Sequence, residues 1–226
     1  MTQPEESQPV ERSLTVPRTA RYYTLGSDSA PEVWVVLHGF GQLAARFIRS
    51  FSPVAGSERQ IVAPEALNYY YINHEAKKSG ATWMTSENRL IQIADYVRYL
   101  DLVLAEISAG RTLTRVEVHG FSQGAATASR WVGQGTVRPA RLVLWGGGVP
   151  PDFDFAAQGA RLSQADLTII VGDRDQYVSE ADVESQRERL DAAGVRYTLR
   201  RFSGGHLIPW IVLKELVGEV RNEIAE

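Results

Sequence analysis

Apolar residues follow two patterns along the chain, and the two patterns alternate. Residues 33–37 form a continuous apolar run rich in β-branched side chains, which is typical of a strand buried on both faces. Residues 86–108 carry apolar side chains at steps of three and four, which predicts a long helix with one apolar stripe. Further strands are predicted at 21–25, 60–63, 115–119, 141–145, 167–171 and 195–202, and further helices at 44–51, 125–132, 180–193 and from about Pro209 onward.

The alternation of strands with helices predicts the fold class. Strands that are separated by helices usually form a mostly parallel central sheet with helices on both faces, the α/β class. In such sheets, binding and catalytic sites lie in the loops beyond the carboxyl ends of the strands. Residues 66–84 fit neither pattern, and we expect a long irregular segment there.

Composition and charge narrow the class of protein. The 226 residues are 44% hydrophobic and 23% charged, which is ordinary for a globular protein and excludes wholesale disorder. The chain has 24 Lys and Arg against 27 Asp and Glu, and the resulting net charge of −3 argues against a nucleic-acid partner. Cysteine is absent from the sequence, which excludes disulfides, thiolate nucleophiles and Cys-based zinc sites.

The amino-terminal segment differs from the rest of the chain. Residues 1–18 contain three prolines and no apolar period, which predicts a flexible tail followed by a single domain over residues 19–226. The segment lacks the basic and apolar regions of a signal peptide, and the apolar runs of the chain are far too short to span a membrane. We therefore expect a soluble cytoplasmic protein without stable membrane insertion, whose oligomeric state the sequence leaves open.

The strongest local motif is Gly120-Phe121-Ser122-Gln123-Gly124, which lies between a predicted strand and a predicted helix. A strand, a tight turn and a helix are the context of a nucleophile elbow, in which the turn lifts a serine hydroxyl clear of the sheet. The two glycines fit a turn that leaves little space for side chains at its flanks. We therefore predict that Ser122 is a nucleophile, the alternative being a chance match to Gly-x-Ser-x-Gly.

A serine hydroxyl needs a base to take its proton, and the chain offers four histidines. His206 follows a glycine-rich stretch between the last predicted strand and the last predicted helix, from which it can reach back over the sheet. The order Ser, acid, His also supports His206 as the base. His38 and His119 stand at strand ends, where we expect structural roles, and His74 is expected to be exposed.

The acid of such a triad must lie between Ser122 and His206, and two aspartates compete for the role. Asp173 and Asp175 both follow the predicted strand 167–171, and carboxylates two positions apart point in different directions. Only one of them is therefore expected to meet the imidazole, while the other stabilises the turn. The acid holds the tautomer of the imidazole and stabilises its protonated form.

Acyl transfer also needs hydrogen-bond donors for the oxyanion that develops on the carbonyl. The N–H of Gln123 lies at a predicted helix amino terminus beside Ser122, and the loop 38–42 after an early strand contains two glycines. The candidate donors are the backbone N–H groups of Phe40 and Gln123. A phosphate loop is not expected, because no Gly-Lys-Ser/Thr follows, and no His pair has the spacing of a metal site.

Taken in order, these segments resemble the phospholipase/carboxylesterase family of small α/β-hydrolases, which includes bacterial carboxylesterases and acyl-protein thioesterases. The resemblance begins near residue 31 and rests on four motifs: Leu37-His38-Gly39-Phe40-Gly41, the 120–124 elbow, Gly172-x-x-Asp175-x-x-Val178 and Gly205-His206. It implies the α/β-hydrolase fold, Asp175 as the acid, and oxyanion donation by Phe40 and Gln123. It also implies a serine esterase without a cofactor or metal, acting on a small acyl ester.

The chain departs from the family pattern at positions that leave these motifs intact, as in a divergent bacterial branch. Gln42 stands where an acidic residue is usual, His119 and Ala125 replace glycines beside the elbow, and glycines 146–148 follow Trp145. Five aromatic side chains are candidates to line the substrate pocket, with packing in the core as the alternative; they are Tyr69, Tyr70, Tyr71, Trp83 and Trp145.

The predicted reaction is hydrolysis of acyl esters through Ser122, His206 and Asp175, with an acyl-enzyme intermediate. The same residues would serve an acyl-protein thioesterase or a lysophospholipase, and the sequence does not separate these activities. A third alternative is a hydrolase fold used only for binding, because fold does not fix function. The intact triad and oxyanion loop argue against that alternative.

Overall fold

The computed structural model describes residues 9–225, which contain a seven-stranded sheet, a separate hairpin and helices packed around the sheet. The strands are β1 (Tyr22–Leu25), β2 (Glu32–Leu37), β3 (Arg59–Pro64), β4 (Asn68–Asn73), β5 (Lys78–Thr82), β6 (Arg115–Phe121), β7 (Arg141–Trp145), β8 (Asp166–Gly172) and β9 (Thr198–Phe202). The helices are α1 (Ala44–Phe47), α2 (Arg89–Ser108), α3 (Gln123–Gln134), α4 (Phe155–Leu162), α5 (Glu180–Ala192) and α6 (Trp210–Ala225), and a 3₁₀ helix (Ile48–Val54) follows α1.

Every strand and helix predicted from the sequence is present, with ends that differ by a few residues. Of the predicted amino-terminal tail, residues 9–18 are exposed and form no helix or strand, and the rest lies outside the described residues. No helix within residues 9–225 combines the length and apolar character needed to cross a bilayer.

The central sheet has the order β1-β3-β2-β6-β7-β8-β9, and every neighbouring pair is parallel except β1 with β3. This confirms the predicted mostly parallel sheet. Leu37 pairs with Gly120, Phe121 with Trp145, and Gly172 with Phe202. The carboxyl ends of five strands therefore reach one edge of the sheet, where α/β proteins place their sites.

Helices cover both faces of the sheet, which explains the uninterrupted apolar run in β2. Val33 and Val35 belong to the core cluster that includes residues of α2 and α3. Trp34 and Val36 point the other way, into a cluster with α1 and with Leu213 and Leu216 of α6. Alternate side chains of a strand face opposite sides, so a strand buried on both faces has no polar positions.

The prediction of an irregular segment over residues 66–84 was wrong, because β4 and β5 form an antiparallel hairpin there. Most of β4 is exposed, so it lacks an apolar run, and its register shifts between Tyr71 and Asn73. The hairpin docks through backbone hydrogen bonds, in which the Gly41 N–H donates to Ala81 O (2.9 Å) and the Ala81 N–H to Gln42 O (3.3 Å). Because these contacts are made by the backbone, they produce no pattern of side chains from which the hairpin could be predicted.

Helix α4 was not predicted at all. It has eight residues and buries only Gly159 and Leu162, so its apolar stripe is too short to recognise. Its start is marked by Asp154, whose carboxylate accepts a hydrogen bond from the Ala157 N–H at 3.0 Å. Such an amino-terminal cap satisfies a backbone donor that the helix itself leaves unpaired.

Candidate active site

The turn between β6 and α3 presents Ser122 at the carboxyl edge of the sheet. Ser122 has φ 54° and ψ −118°, a backbone conformation that residues other than glycine rarely adopt. Its N–H donates to Trp145 O at 2.9 Å, which ties the turn to the end of β7. A Cβ at Gly120 would overlap Gly124 O, and one at Gly124 would overlap Leu37 O. The two glycines therefore allow the close approach that holds a strained serine in place.

His206 and Asp175 form a hydrogen-bonded pair beside this turn. His206 Nδ1 lies 2.8 Å from Asp175 Oδ2, and the Asp175 side chain is only 1% exposed. Asp175 Oδ1 accepts hydrogen bonds from the N–H groups of Tyr177 (2.9 Å) and Val178 (3.2 Å). A carboxylate held in this way directs the imidazole proton to Nδ1 and leaves Nε2 as an acceptor.

The second aspartate of the turn does not meet the imidazole. Asp173 Oδ1 accepts a hydrogen bond from the Gly204 N–H at 2.9 Å, and this bond lowers the pKa of the exposed carboxyl below its ordinary value. Asp173 therefore joins two loops and has the turn-stabilising role that the sequence left to one of the pair. The structure places Asp175, rather than Asp173, in contact with His206.

The loop that follows β7 lies against all three predicted triad residues. A Cβ at Gly146, where φ is +51°, would lie 2.9 Å from His206 Nδ1 and 3.3 Å from Asp175 Oδ2. A Cβ at the next residue, Gly147, would lie 2.9 Å from Ser122 O. Consecutive glycines of one loop thus touch both the acid–imidazole pair and the serine. Ser122 Oγ itself forms no hydrogen bond with the described residues, His206 included.

The loop 38–42, which contains one of the two candidate oxyanion donors, packs against Ser122. The Gly39 N–H donates to Gln42 Oε1 at 2.8 Å, and the Gln42 N–H donates to Gly39 O at 3.2 Å. Gln42 therefore supplies the acceptor oxygen that an acidic residue would supply at this position. A Cβ at Gly39 would lie 3.2 Å from Ser122 Cβ. Phe40 lies between Gly39 and Gln42 in the sequence, and its N–H donates no hydrogen bond to any described residue.

The second candidate donor is the N–H of Gln123. Gln123 is the first residue of α3, and N–H groups in the first turn of a helix have no intrahelical acceptor. The amino terminus of a helix also attracts negative charge. The two candidate donors therefore belong to two segments that adjoin Ser122, the loop 38–42 and the start of α3.

The side chain of Gln123 forms a clamp that the sequence did not reveal. Its Nε2 donates to Thr82 Oγ1 (3.0 Å) and Met84 O (2.9 Å), and its Oε1 accepts from the Trp83 N–H (3.1 Å). The clamp joins the start of α3 to the end of the hairpin. Its partners lie about 40 residues earlier in the chain, and a glutamine beside a nucleophile gives no signal of such bonds.

The five aromatic residues predicted at the pocket occupy different environments. Tyr70 packs on Phe40 with ring centroids 5.1 Å apart, which places it at the oxyanion loop. The Tyr69 hydroxyl donates to Glu65 Oε1 at 2.8 Å, and Tyr71 packs on His74. The remaining two, Trp83 and Trp145, are fully buried and pack in the core.

His38 and His119 are both fully buried and hydrogen-bonded. The Ala66 N–H donates to His38 Nε2 at 3.1 Å, and Trp145 Nε1 donates to His119 Nδ1 at 3.2 Å. Each ring therefore uses one nitrogen as an acceptor, which requires the neutral form. Burial lowers the pKa of both histidines below the ordinary 6.5.

Acid is expected to destabilise the protein through these two histidines. Below about pH 6.5 the unfolded chain takes up a proton on each of them, whereas the folded chain does not, so the free energy of unfolding falls with pH. Each contributes a slope of about 1.4 kcal/mol per pH unit between its folded and unfolded pKa values. Urea denaturation between about pH 7.5 and 5.5 measures this slope. His74→Asn, at an exposed histidine, should leave it unchanged, and a stability independent of pH would contradict the interpretation.

Among the described residues, no group of three or more His, Asp or Glu side chains is arranged to hold a metal ion.

The sheet order and the strand–turn–helix at Ser122 define an α/β-hydrolase. The chain belongs to the phospholipase/carboxylesterase family, whose model matches residues 24–217. No curated protein sequence matches it significantly.

Solved structures share the fold at low sequence identity. Acyl-protein thioesterase 2 from Zea mays superposes with a TM-score of 0.68 at 17% identity, over 90% of this chain and 99% of the other. Esterase PE8 gives 0.66 at 22% identity, over 91% and 99%. A phospholipase/carboxylesterase from Dyadobacter fermentans gives 0.61 at 19% identity, over 86% and 93%.

Proposed function

We propose that the protein is a serine esterase that hydrolyses carboxylic acyl esters through Ser122, His206 and Asp175. The observation that carries this proposal is the 2.8 Å contact between His206 Nδ1 and the buried Asp175 carboxylate, beside a serine in a strained turn. Backbone strain of this kind persists only where the surrounding structure enforces it, and it concentrates at functional sites. Family membership supports the same reaction class.

In the proposed first step, Ser122 Oγ attacks the ester carbonyl carbon as His206 Nε2 takes its proton. Asp175 stabilises the resulting imidazolium. The carbonyl oxygen becomes an oxyanion and accepts hydrogen bonds from the N–H groups of Phe40 and Gln123. This step does not require a hydrogen bond between Ser122 and His206 before the substrate binds, because such contacts often tighten only in the substrate complex.

In the second half of the reaction, the tetrahedral intermediate collapses and the alcohol leaves with the proton from His206. Water then attacks the acyl-serine carbonyl while His206 Nε2 accepts its proton. Collapse of this second intermediate releases the carboxylic acid and restores the Ser122 hydroxyl. His206 Nε2 must therefore be free to accept a proton at the start of each half-reaction.

A thioester is the second candidate substrate, and the specific observation in its favour is the fold shared with the maize acyl-protein thioesterase. The proposed machinery acts equally on an oxygen or a sulfur leaving group. Rates on an oxygen ester and a thioester with the same acyl chain would rank the two activities. Lysophospholipase activity is a third variant of the same chemistry.

The proposal is tested by the mass of the intact protein after treatment with a fluorophosphonate, which reacts with activated serines. We expect one adduct on the wild type, none on Ser122→Ala, and one on the matched control Ser52→Ala, which changes an exposed serine. An adduct that persists in Ser122→Ala would contradict the assignment of Ser122. A wild type that reacts with neither this probe nor a smaller one would instead favour a hydrolase fold used for binding.

A further inference from the structure

A cavity of about 290 Å³ opens directly beside Ser122. One side of it is formed by Ser122 and Ala126, another by the loop 147–151 after β7, and the third by side chains of α5. Its volume is at the lower limit of small-molecule sites, which are about 300–1,000 Å³. The cavity therefore fits a small part of a substrate rather than a long chain.

Gln186 of α5 lines this cavity with a carboxamide that has no partner. The residue is 7% exposed, and neither Oε1 nor Nε2 forms a hydrogen bond with the described residues. Its charged neighbours on the same helix are already engaged. Asp182 caps α5 with Ser179, and Arg189 donates to Val149 O and Pro150 O, both at 3.1 Å. Neither amide atom is sealed from the cavity, so a ligand group there can replace water and form a direct hydrogen bond with the amide.

The loop after β7 leaves space for the Gln186 carboxamide. A Cβ at Gly148 would overlap the Gln186 carboxamide, so a larger residue there would displace the amide from its present position. Each of the three glycines that depart from the family pattern thus faces a different group: Gly146 faces the His206 imidazole, Gly147 the Ser122 backbone, and Gly148 the Gln186 amide.

The position of the cavity indicates which part of an ester would enter it. A leaving alcohol must contact His206, which gives it a proton, yet His206 is not among the described residues that line the cavity. The acyl group, bonded to Ser122 in the intermediate, has no such requirement. Most of the walls are apolar, including the buried side chains of Val149, Val171 and Val183. An alkyl stem would pack there, with the Gln186 amide in reach of a polar group.

The geometry points to Gln186 as a specificity residue for the acyl group. We infer that the cavity takes a short acyl chain that carries a hydrogen-bonding group, such as a ketone or hydroxyl oxygen, along an otherwise apolar stem. This inference rests on the proposed esterase function and names the class of acyl group that the esterase prefers.

The test compares two esters of the same shape, 4-nitrophenyl 4-oxopentanoate and 4-nitrophenyl 4-methylpentanoate, on the full-length protein. They have the same number of heavy atoms and differ at C4, which is a ketone carbonyl in the first and a CH that carries a methyl group in the second. We expect the wild type to favour the ketone by about tenfold in kcat/KM. Gln186→Met keeps the length of the side chain and removes the amide, and it should bring the ratio to about one or below. Glu188→Gln, an exposed position on the same helix, should keep the wild-type ratio.

Two results would overturn the inference. A wild type that favours the methyl-branched ester shows that the amide does not select the acyl group, whether or not any variant folds. A wild-type preference for the ketone that survives in Gln186→Met, with fluorophosphonate labelling of that variant intact, assigns the preference to another residue. Failure of the esterase proposal itself is distinguishable, because then neither ester is hydrolysed and Ser122 takes no label.

Discussion

Replacing Asp175 by Asn is expected to lower kcat for ester hydrolysis by about 10³–10⁴-fold. The amide can still accept hydrogen bonds from the N–H groups of Tyr177 and Val178, so the turn should keep its shape. Its NH₂ group, however, would face His206 Nδ1 and favour the tautomer that is protonated on Nε2. That tautomer cannot take the proton of Ser122. The same variant should react slowly with the fluorophosphonate. Steady-state kinetics measures the loss of kcat, and a thermal melt shows whether the variant is still folded.

Asp173→Asn is the matched control for this substitution. It makes the same chemical change two positions away, and the amide oxygen can still accept from the Gly204 N–H. We expect a rate within a few-fold of the wild type, since Asp173 does not touch the imidazole. Comparable losses in the two variants would contradict the assignment of Asp175 as the acid. Asp175→Asn retaining more than about a tenth of the wild-type rate would do so as well.

Replacing Gly124 by Ala is expected to cause a large decrease in the free energy of unfolding. A new Cβ there would overlap Leu37 O and approach His38 O, and backbone atoms of a central strand and its following loop cannot move aside cheaply. Overpacking at such sites costs about 1–3 kcal/mol, and sometimes more. Any shift of α3 that relieves the overlap also moves Ser122 and the Gln123 N–H. We therefore expect a lower urea midpoint together with a loss of esterase rate.

Gly218→Ala is the matched control for this substitution, and it should raise the urea midpoint rather than lower it. Gly218 lies in α6, and a Cβ there would meet no atom within 4 Å in the part of the chain that the structure describes. Alanine in place of glycine within a helix usually stabilises by up to about 1 kcal/mol. If Gly124→Ala behaved like Gly218→Ala, the close packing of α3 on the β2 end would not be the reason for glycine at position 124.

Sequence patterns predicted the parts of the fold that depend on burial and on local geometry. β2 was recognisable because both of its faces are covered, and α2 because one of its faces is. The elbow at Ser122 was recognisable because its glycines and its flanking strand and helix lie within a few residues of one another. These signals are short-range, so one sequence contains them.

The remaining features depend on contacts between distant segments. The spacing of Asp173 and Asp175 could not show which carboxylate meets the imidazole; the resemblance to the family implied Asp175, and the 2.8 Å contact is made by that residue. The Gln123 clamp and the hairpin against Gly41 join segments about 40 residues apart. The facing of Gln186 and Gly148 is of the same kind. Such pairs leave no period in the sequence, because each partner is unremarkable by itself.

The hairpin β4–β5 holds both segments that carry the candidate oxyanion donors. Its buried end exchanges backbone hydrogen bonds with the loop of Phe40 and receives the side chain of Gln123. The hairpin supplies no reacting atom to the proposed reaction, yet it adds to the pairing of β2 with β6 in holding the two N–H groups in place. The exposed tip, residues 74–77, makes none of these contacts, whereas residues 80–84 include all of the hairpin's partners in them. Substitutions there would tune turnover without touching the nucleophile, the base or the acid, which makes the base of the hairpin a natural place for relatives to diverge in rate.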